Sequence, residues 1–402
     1  MRIWIANHYA SPPTYPGGTR HYNFAKRLIN RGNEVVLIAA NYNHFSHEFV
    51  YRGPLGKIDS SSDVPFIWIP TAPYKGNTIS RFYNMLSYGI KMTRKKYLPI
   101  AEKPDIIIGS SPHLFAALGA LLLAKRLNVP FILEIRDLWP ESLVDLGHIS
   151  RYHPLILLMK TIERYLYKEA DRIISLLPAV DTYLSRYGID PKKILWLPNS
   201  VDLDSINVET QPISKKFTVM YAGAHGLAND LETVIHAAAI IEKKYPANNI
   251  TICLIGEGPE KSKLKKLAEE HNVSIVEFHD AVPKAQIYHV LNQADACLML
   301  LKDSPVFRFG ISPNKLFDYL VMSKPIIYGV KTPYNPIEKA RAGLSINPSD
   351  PEALADAIHS LFTLPCEERQ AMGLRGKQYV MDHYHIDKLT DSLENFVQSV
   401  LV

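Results

Sequence analysis

Short apolar runs rich in β-branched residues alternate with amphipathic helical stretches along the whole chain, and this alternation narrows the fold more than any other feature. Strand candidates in the first half are Arg2–Asn7, Glu34–Ala39, Pro65–Ile69, Asp105–Gly109, Pro130–Ile135, Arg172–Leu176 and Ile194–Leu197. Helical patterns at Thr19–Arg31, Leu114–Leu127 and Leu155–Lys168 lie between them. The second half repeats the grammar, with strands Phe217–Tyr221, Ile250–Ile255, Ser274–Phe278, Ala296–Leu300 and Pro325–Tyr328. Its helices include Leu231–Lys244, Glu260–His271, Asn314–Val321, Pro351–Phe362 and Asp387–Leu401. Apolar strands separated by helices mean βαβ units and parallel sheets covered on both faces. The 402 residues are enough for two domains of ordinary size. The expected fold is therefore α/β, with two doubly wound, Rossmann-like domains. Open sheets of this kind bind ligands beyond the carboxyl ends of their strands, so the two domains are expected to face each other across a cleft. The boundary falls in Leu197-Pro-Asn-Ser-Val-Asp-Leu-Asp204 and the polar stretch to Lys216. It gives domains 1–198 and 199–385, with a helix at 386–402 expected to pack back toward the first domain.

Three cysteines lie far apart, at Cys253, Cys297 and Cys366, which excludes a disulfide framework and suits a reducing cytoplasm. No His/Cys cluster has metal-ligand spacing, so no metal is expected. Met1–Ala6 runs straight into a strand pattern with no signal peptide before it. The longest charge-free apolar run, Leu114 to Ala124, is too short to cross a bilayer. A cytoplasmic protein is the expectation. Charge is uneven: residues 1–200 hold 25 Lys and Arg against 15 Asp and Glu, residues 201–402 hold 20 against 25. A basic half suggests an anionic partner for the first domain. The basic residues form no compact aromatic-basic motif, so nucleic acid is not expected.

Several segments place chemistry at strand exits. Gly17 and Gly18 precede a helix that opens with Arg20, where free N–H groups and the helix dipole favour an anion. A plain glycine turn that starts a helix reads equally well. Gly256-Glu-Gly258-Pro lacks the third glycine of a dinucleotide fingerprint, since Lys261 stands there. The run Phe309-Gly-Ile-Ser-Pro-Asn-Lys-Leu-Phe-Asp-Tyr-Leu-Val-Met-Ser-Lys-Pro opens a helix at Asn314. Ser312 and the amides near Asn314 and Lys315 suit a diphosphate, and Asp318, one turn on, suits ribose hydroxyls. Asp318 equally fits a solvent-facing aspartate favoured near a helix N-terminus.

This run resembles the donor-site signature of the family 4 retaining glycosyltransferases of GT-B fold, in the branch that builds bacterial O-antigen, capsule and exopolysaccharide. The resemblance covers almost the whole chain. It implies a GT-B architecture with the nucleotide sugar on the second domain, where Ser312, Asn314 and Lys315 hold the phosphates and Asp318 the ribose. Asp318 replaces the usual Glu, and Gly310 stands where the E-x7-E motif has its first Glu. Tyr221-Ala-Gly-Ala-His-Gly226 is similar to the family's glycine loop, which places Gly223, His225 and Gly226 near the donor. Many members have an Arg and a Lys there; this chain has His225, Asn229 and Asp230, so charge neutralisation falls to Lys315, Arg20 or helix dipoles. Leu254–Pro259 resembles a structural Gly-x-Gly-Pro turn, and Ile275–Asp280, with Phe278 and His279, resembles the segment holding the base through backbone contacts. Leu197-Pro-Asn-Ser-Val-Asp202 resembles the interdomain Pro-Asn-Gly-Val-Asp, with Ser200 in place of Gly.

On the acceptor side, Ser110-Ser-Pro-His113 and Glu134-Ile-Arg-Asp-Leu-Trp-Pro-Glu141 both follow strands. The second resembles a block of O-antigen and exopolysaccharide transferases, which implies Arg136, Asp137 and Glu141 near the acceptor. A structural ion pair between Arg136 and Asp137 is the other reading. His113 is either a group that orients the acceptor hydroxyl or a helix-start histidine. Ile79–Leu98, with Arg81, Lys91, Arg94, Lys95 and Lys96 among aromatic and aliphatic residues, reads either as a basic amphipathic helix for an anionic membrane or as a helix with one core face. The resemblance implies a retaining, metal-independent transferase with no cofactor beyond its nucleotide-sugar cosubstrate, expected to be a UDP-sugar such as a UDP-N-acetylamino sugar. N-acetylfucosamine is one candidate sugar, and the implied acceptor is a polyprenyl-diphosphate-linked or oligosaccharide chain. Asp137, His113, Arg136 and Lys315 are the catalytic candidates. A nucleotide-sugar 2-epimerase or hydrolase, or a non-catalytic nucleotide-sugar-binding subunit, are the rival readings.

Overall fold

A computed structural model describes residues 1–76, 79–99, 103–111, 113–202, 216–246, 249–283 and 286–401. The expected linker from Leu203 to Ser214, and Lys215 with it, lies outside the described residues, as does Pro112. Contacts divide the chain into unit 1, Met1–Pro198 with Ile386–Val402, and unit 2, Asn199–His385.

Unit 1 is built on eight strands: β1 (Arg2–Ala6), β2 (Glu34–Ala40), β3 (Ile58–Asp59), β4 (Phe66–Ile69), β5 (Ile106–Ser110), β6 (Phe131–Ile135), β7 (Arg172–Ser175) and β8 (Ile194–Trp196). They lie in the order β3-β4-β2-β1-β5-β6-β7-β8. All neighbours run parallel except β3, which is antiparallel to β4. Every residue of β5 and β6 is buried, so both read as mostly apolar runs without alternation, with Ser110 and Glu134 as the polar exceptions near their carboxyl ends. Burying one Ile or Leu side chain contributes about 1.5–3 kcal/mol, so these central strands anchor the unit. Strand order reverses at β1, flanked by β2 and β5, and the reversal opens a crevice beyond their carboxyl ends.

The C-terminal helix Ile386–Leu401 belongs to this unit. Ile386, Leu389, Leu393 and Val397, at helical spacing, join the core that holds Leu28 and Phe24. Arg31 pairs with Asp391 (2.7 Å) and Glu394 (3.3 Å), fixing the helix against Arg20–Asn30.

The basic segment 79–98 is not one helix. The α-helix covers Ile79–Met92, and Lys95–Tyr97 forms a separate 3-10 turn. The Thr93 hydroxyl donates to the Ile90 carbonyl (2.8 Å), a local bond that competes with helix continuation, and Arg94 is extended. Arg94, Lys95 and Lys96 therefore lie beyond the helix end. Ile79, Tyr83 and Ile90 form an exposed stripe along it, 88%, 62% and 48% accessible. Among the described residues no helix is long and apolar enough to cross a membrane.

Unit 2 has β9 (Phe217–Ala222), β10 (Ile250–Ile255), β11 (Val276–His279), β12 (Ala296–Leu300), β13 (Ile326–Gly329) and β14 (Gly343–Ser345), all parallel, in the order β11-β10-β9-β12-β13-β14. The reversal falls at β9, between β10 and β12. The helix Asn314–Val321 has the bounds the sequence suggests: Pro313 in extended backbone starts it. The strand expected at Ser274–Phe278 is displaced toward its carboxyl end, so His279 lies in β11 and not in the loop after it.

Candidate functional site

The crevice of unit 2 begins where β9 ends. Gly223-Ala-His225-Gly226 leads into a 3-10 turn, Leu227–Asn229, and then the helix Leu231–Lys244. The Gly256–Gly258 turn after β10 packs backbone to backbone on this loop. A Cβ on Gly256 would collide with the Gly223 carbonyl, and one on Gly258 with the backbone of His225. The His225 amide donates to the Glu257 carbonyl (2.8 Å) and the Gly223 amide to that of Ile255 (2.9 Å). The second glycine turn thus shapes the first. His225 is fully buried, and neither ring nitrogen has a partner among the described residues. Burial first, then Lys261, lowers its pKa and keeps the ring neutral.

Lys315, in the first turn of Asn314–Val321, reaches over this loop. Its Nζ donates to Tyr221 Oη (2.8 Å) and Asn229 Oδ1 (2.6 Å), and lies 4.3 Å from the Tyr221 ring centroid. A Cβ on Gly223 would be 3.5 Å from Nζ, so the ammonium sits directly above the glycine loop. Its hydrogen-bond partners are neutral, and among the described residues no carboxylate pairs with it. Burial without a counter-charge pulls its pKa down to about 7. No side chain caps this helix, so the amides of its first turn, at exposed Asn314 and at Lys315, add donors to the same spot.

The remaining expected donor residues divide. Ser312 accepts from the Asn199 amide through Oγ (2.9 Å), while the Asn199 side chain donates to the Ser312 carbonyl (2.6 Å). The Pro-Asn-Ser-Val-Asp segment thereby holds the Ser312 loop. Asp318 accepts from the Tyr288 hydroxyl (3.0 Å), which orients its carboxylate. Gly310, where the family's first Glu would stand, has φ +102°. That conformation is costly for a residue with a side chain, so this backbone does not accommodate glutamate readily. Phe278 is partly buried, and the His279 carbonyl already accepts from the Gly256 amide (3.2 Å) and Lys261 Nζ (3.0 Å).

Unit 1 treats its charges differently. Glu134, at the carboxyl end of β6, is buried and accepts from Arg20 Nε (3.0 Å), His21 Nε2 (2.6 Å) and the Ser110 hydroxyl. Burial alone would raise its pKa, but His21 and Arg20 outweigh that and hold it well below the usual carboxylate range. Arg20 also donates to the carbonyls of Pro198 (2.5 Å) and Leu197 (2.8 Å). All three guanidinium nitrogens are engaged inside the unit. Of the three sources of charge the sequence offered for the donor, Arg20 is thus the one already paired inside its own unit.

Arg136 is the cation left over. Its amide donates to Ser111 Oγ (2.9 Å), its Nε has no partner among the described residues, and a Cβ on Gly18 would lie 3.9 Å from its Nη2. Gly17 abuts Phe45 and Ser11. No ion pair joins Arg136 to Asp137 among the described residues, and Asp137 is exposed. Glu141 pairs with Lys160 (3.3 Å) on the helix side.

His113 is fully buried and has no free nitrogen. Nδ1 accepts from the Ala116 amide (3.2 Å), capping the helix Leu114–Leu127, and Nε2 lies 2.6 Å from His8 Nδ1. Accepting through Nδ1 puts the proton of a neutral ring on Nε2, which donates to His8. Burial, with Arg81 adding to it, takes the His113 pKa down to about 3. This geometry favours the helix-start reading over an acid–base one. His8, stacked between Tyr9 and Tyr88 with ring centroids at 4.6 and 4.5 Å, was missed in the sequence. Its position two residues past β1 was the available signal.

Comparison with known proteins follows this division. Residues 17–205 match the family described as Glycosyltransferase Family 4, and residues 204–379 match Glycosyl transferases group 1. Over 321 residues the chain is 22% identical to the "Putative colanic acid biosynthesis glycosyl transferase WcaI" of Escherichia coli (strain K12), covering 74% of this chain and 75% of that one. Among solved structures, sucrose-phosphate synthase (tll1590) from Thermosynechococcus elongatus superposes with a TM-score of 0.78 at 15% identity, covering 99% of this chain and 98% of the other. Anabaena Alr3699/HepE, solved in complex with UDP and glucose, superposes with a TM-score of 0.71 at 12% identity, covering 99% and 100%.

Proposed function

The chain is a glycosyltransferase of the family 4 type with the GT-B fold, and we propose that it transfers a sugar from a UDP-sugar to a lipid-linked saccharide in the assembly of a bacterial surface polysaccharide. The observation that carries the donor reading is Lys315, a partly buried amine with neutral partners only, held over the Gly223 loop. Such a group gains from an incoming anion what it lacks in the unliganded protein. The leaving diphosphate would lie against Lys315, the first-turn amides of Asn314–Val321 and the glycine loop. These donors stabilise the charge that develops as the anomeric bond breaks. Asp318, steadied by Tyr288, would take the ribose hydroxyls.

Uridine is favoured because HepE, similar in fold, was solved with UDP and glucose. An N-acetylamino sugar such as N-acetylfucosamine is the proposed payload, and WcaI, described for colanic acid, supports polysaccharide assembly as the setting. Unit 1 would present the acceptor, with Arg136 facing an anionic group such as a diphosphate linker and Asp137 orienting the attacking hydroxyl. The transfer proceeds with retention: the departing phosphate oxygen takes the acceptor's proton on the face where the new bond forms, so no side chain need act as a strong base. The apolar stripe Ile79, Tyr83 and Ile90, followed by Arg94, Lys95 and Lys96, would rest on the anionic cytoplasmic face of the membrane that carries the acceptor.

A donor-selectivity screen tests the reading. UDP should raise the melting temperature more than GDP, ADP or dTDP, and a UDP-sugar should label a polyprenyl-diphosphate-linked saccharide with unchanged anomeric configuration. Stabilisation by another nucleotide would replace uridine. Inversion of the product would overturn the mechanism. The glycine at position 310 favours one rival, a binding subunit, and tight UDP binding with no transfer to any lipid-linked acceptor would select it.

A further inference from the structure

The strongest unassigned cluster lies on the edge of the unit 2 sheet. The parallel register sets Cys253 opposite Glu277 and Ile255 opposite His279, so all four side chains share one sheet face. The ligand atoms of Cys253, Glu277 and His279 lie within 4.8 Å of one another. His279 Nε2 and Glu277 Oε2 are 3.3 Å apart. Tetrahedral zinc with bonds of about 2.0–2.2 Å separates its nitrogen and oxygen ligands by about the same distance. In sequence these residues are 24 and 2 positions apart, a spacing with no metal signature; only strand pairing assembles them.

We propose that Cys253, Glu277 and His279 form a site for a tetrahedral first-row transition ion of the Zn2+ class, with water in the fourth position. One thiol, one imidazole and one carboxylate make a borderline-soft ligand set that suits Zn2+ or Co2+ and not Mg2+ or Ca2+, which require oxygen ligands. β11 is the outermost strand, and the Glu277 and His279 side chains are each about half exposed, so an ion reaches them from solvent. Cys253 closes the site from the core side. A metal-bound cysteine is a thiolate, so the ion displaces the thiol proton to water as the metal–sulfur bond forms. Bound there, it would tie edge strand β11 to β10 and stabilise unit 2. The site uses the His279 side chain, whereas the donor reading uses only backbone contacts of that segment, and it takes no part in the transfer step.

Titrating the untagged full-length chain with Co2+ tests this through the thiolate-to-cobalt charge-transfer band in the near ultraviolet. One ion per chain is expected, with the band present, one proton released and a melting temperature that rises with Co2+ or Zn2+. His279→Ala and Glu277→Ala, both at exposed positions, should each weaken binding by about tenfold or more. Cys253→Ser should remove the band while far-ultraviolet circular dichroism stays unchanged. Absence of the band in the folded wild-type chain at large Co2+ excess overturns the site. So does a band indifferent to His279→Ala, or one that persists in Cys253→Ser, which would place the ion on another cysteine.

Discussion

The two units each place a glycine loop after the first strand of a largely parallel sheet, at the point where strand order reverses, and each carries a cation in the first turn of a helix that starts at that end of the sheet. In unit 1 that cation is Arg20, and Glu134 with two backbone carbonyls engages all of it. In unit 2 it is Lys315, whose partners are a phenol and an amide. A buried cation with a carboxylate is part of the fold; a partly buried one without a carboxylate is poised for an anion from outside. The difference rests on whether folding delivers a counter-charge, which no inspection of the loop alone reveals.

The largest expected effect lies in unit 1. Arg20→Met leaves Glu134 buried without its arginine counter-charge and should cost about 3–5 kcal/mol in urea unfolding. A small loss there would mean that Arg20 is not the structural partner of Glu134. Lys315→Met should do the reverse, weakening UDP binding by about 10- to 100-fold in a chain that unfolds no earlier than wild type. Equal losses of stability in both variants would erase the contrast between the units.

The same contrast has a pH signature. Free Lys315 titrates near pH 7, below the unfolded value of 10.5. Its destabilising contribution is full below pH 7 and fades as pH rises toward 10.5, because over that window the unfolded chain holds a proton the fold does not. A bound diphosphate raises the pKa again. UDP affinity should therefore fall as pH climbs above 7, by up to about tenfold per unit, and Lys315→Arg should flatten that slope. An affinity that stays constant from neutral to alkaline pH would contradict the depressed pKa.

Smaller effects sharpen the map. Asp318→Asn should weaken UDP by about 1 kcal/mol, with UMP and uridine affected alike because the ribose is common to all three. Glu141→Gln, which removes a partly exposed pair with Lys160, should change stability by less than about 1 kcal/mol. A larger loss of transfer than of stability in Glu141→Gln would return that residue to the acceptor site.

Some of this was legible in the sequence for clear reasons. The α/β fold showed because strands covered on both faces, such as Phe217–Ala222 and Ile250–Ile255, are dominated by apolar residues without alternation. The helix at Asn314 showed because Pro313 punctuates its start. β3 and β14, two and three residues long, carry too little pattern to be seen. The basic segment at 79–98 read as one helix because periodicity continues past Met92, while the Thr93 and Arg94 amides turn back to the Ile90 and Lys91 carbonyls and close the helix there. Within the candidate site, residue types could be read but their partners could not. Glu134 lies 114 residues from Arg20, and His8 lies 105 from His113; only the β1-β5-β6 register brings either pair together. Cys253, Glu277 and His279 escaped notice for the same reason.

The central claim, that Lys315 titrates near neutrality and is recharged by the donor's diphosphate, is tested most directly by the protons that accompany binding. UDP is titrated calorimetrically into wild type and Lys315→Arg at pH 8, in two buffers of different ionisation enthalpy. The account predicts uptake approaching one proton by the wild type and none by the arginine variant, which keeps its charge throughout. Equal uptake in the two proteins, or none in either, would contradict it.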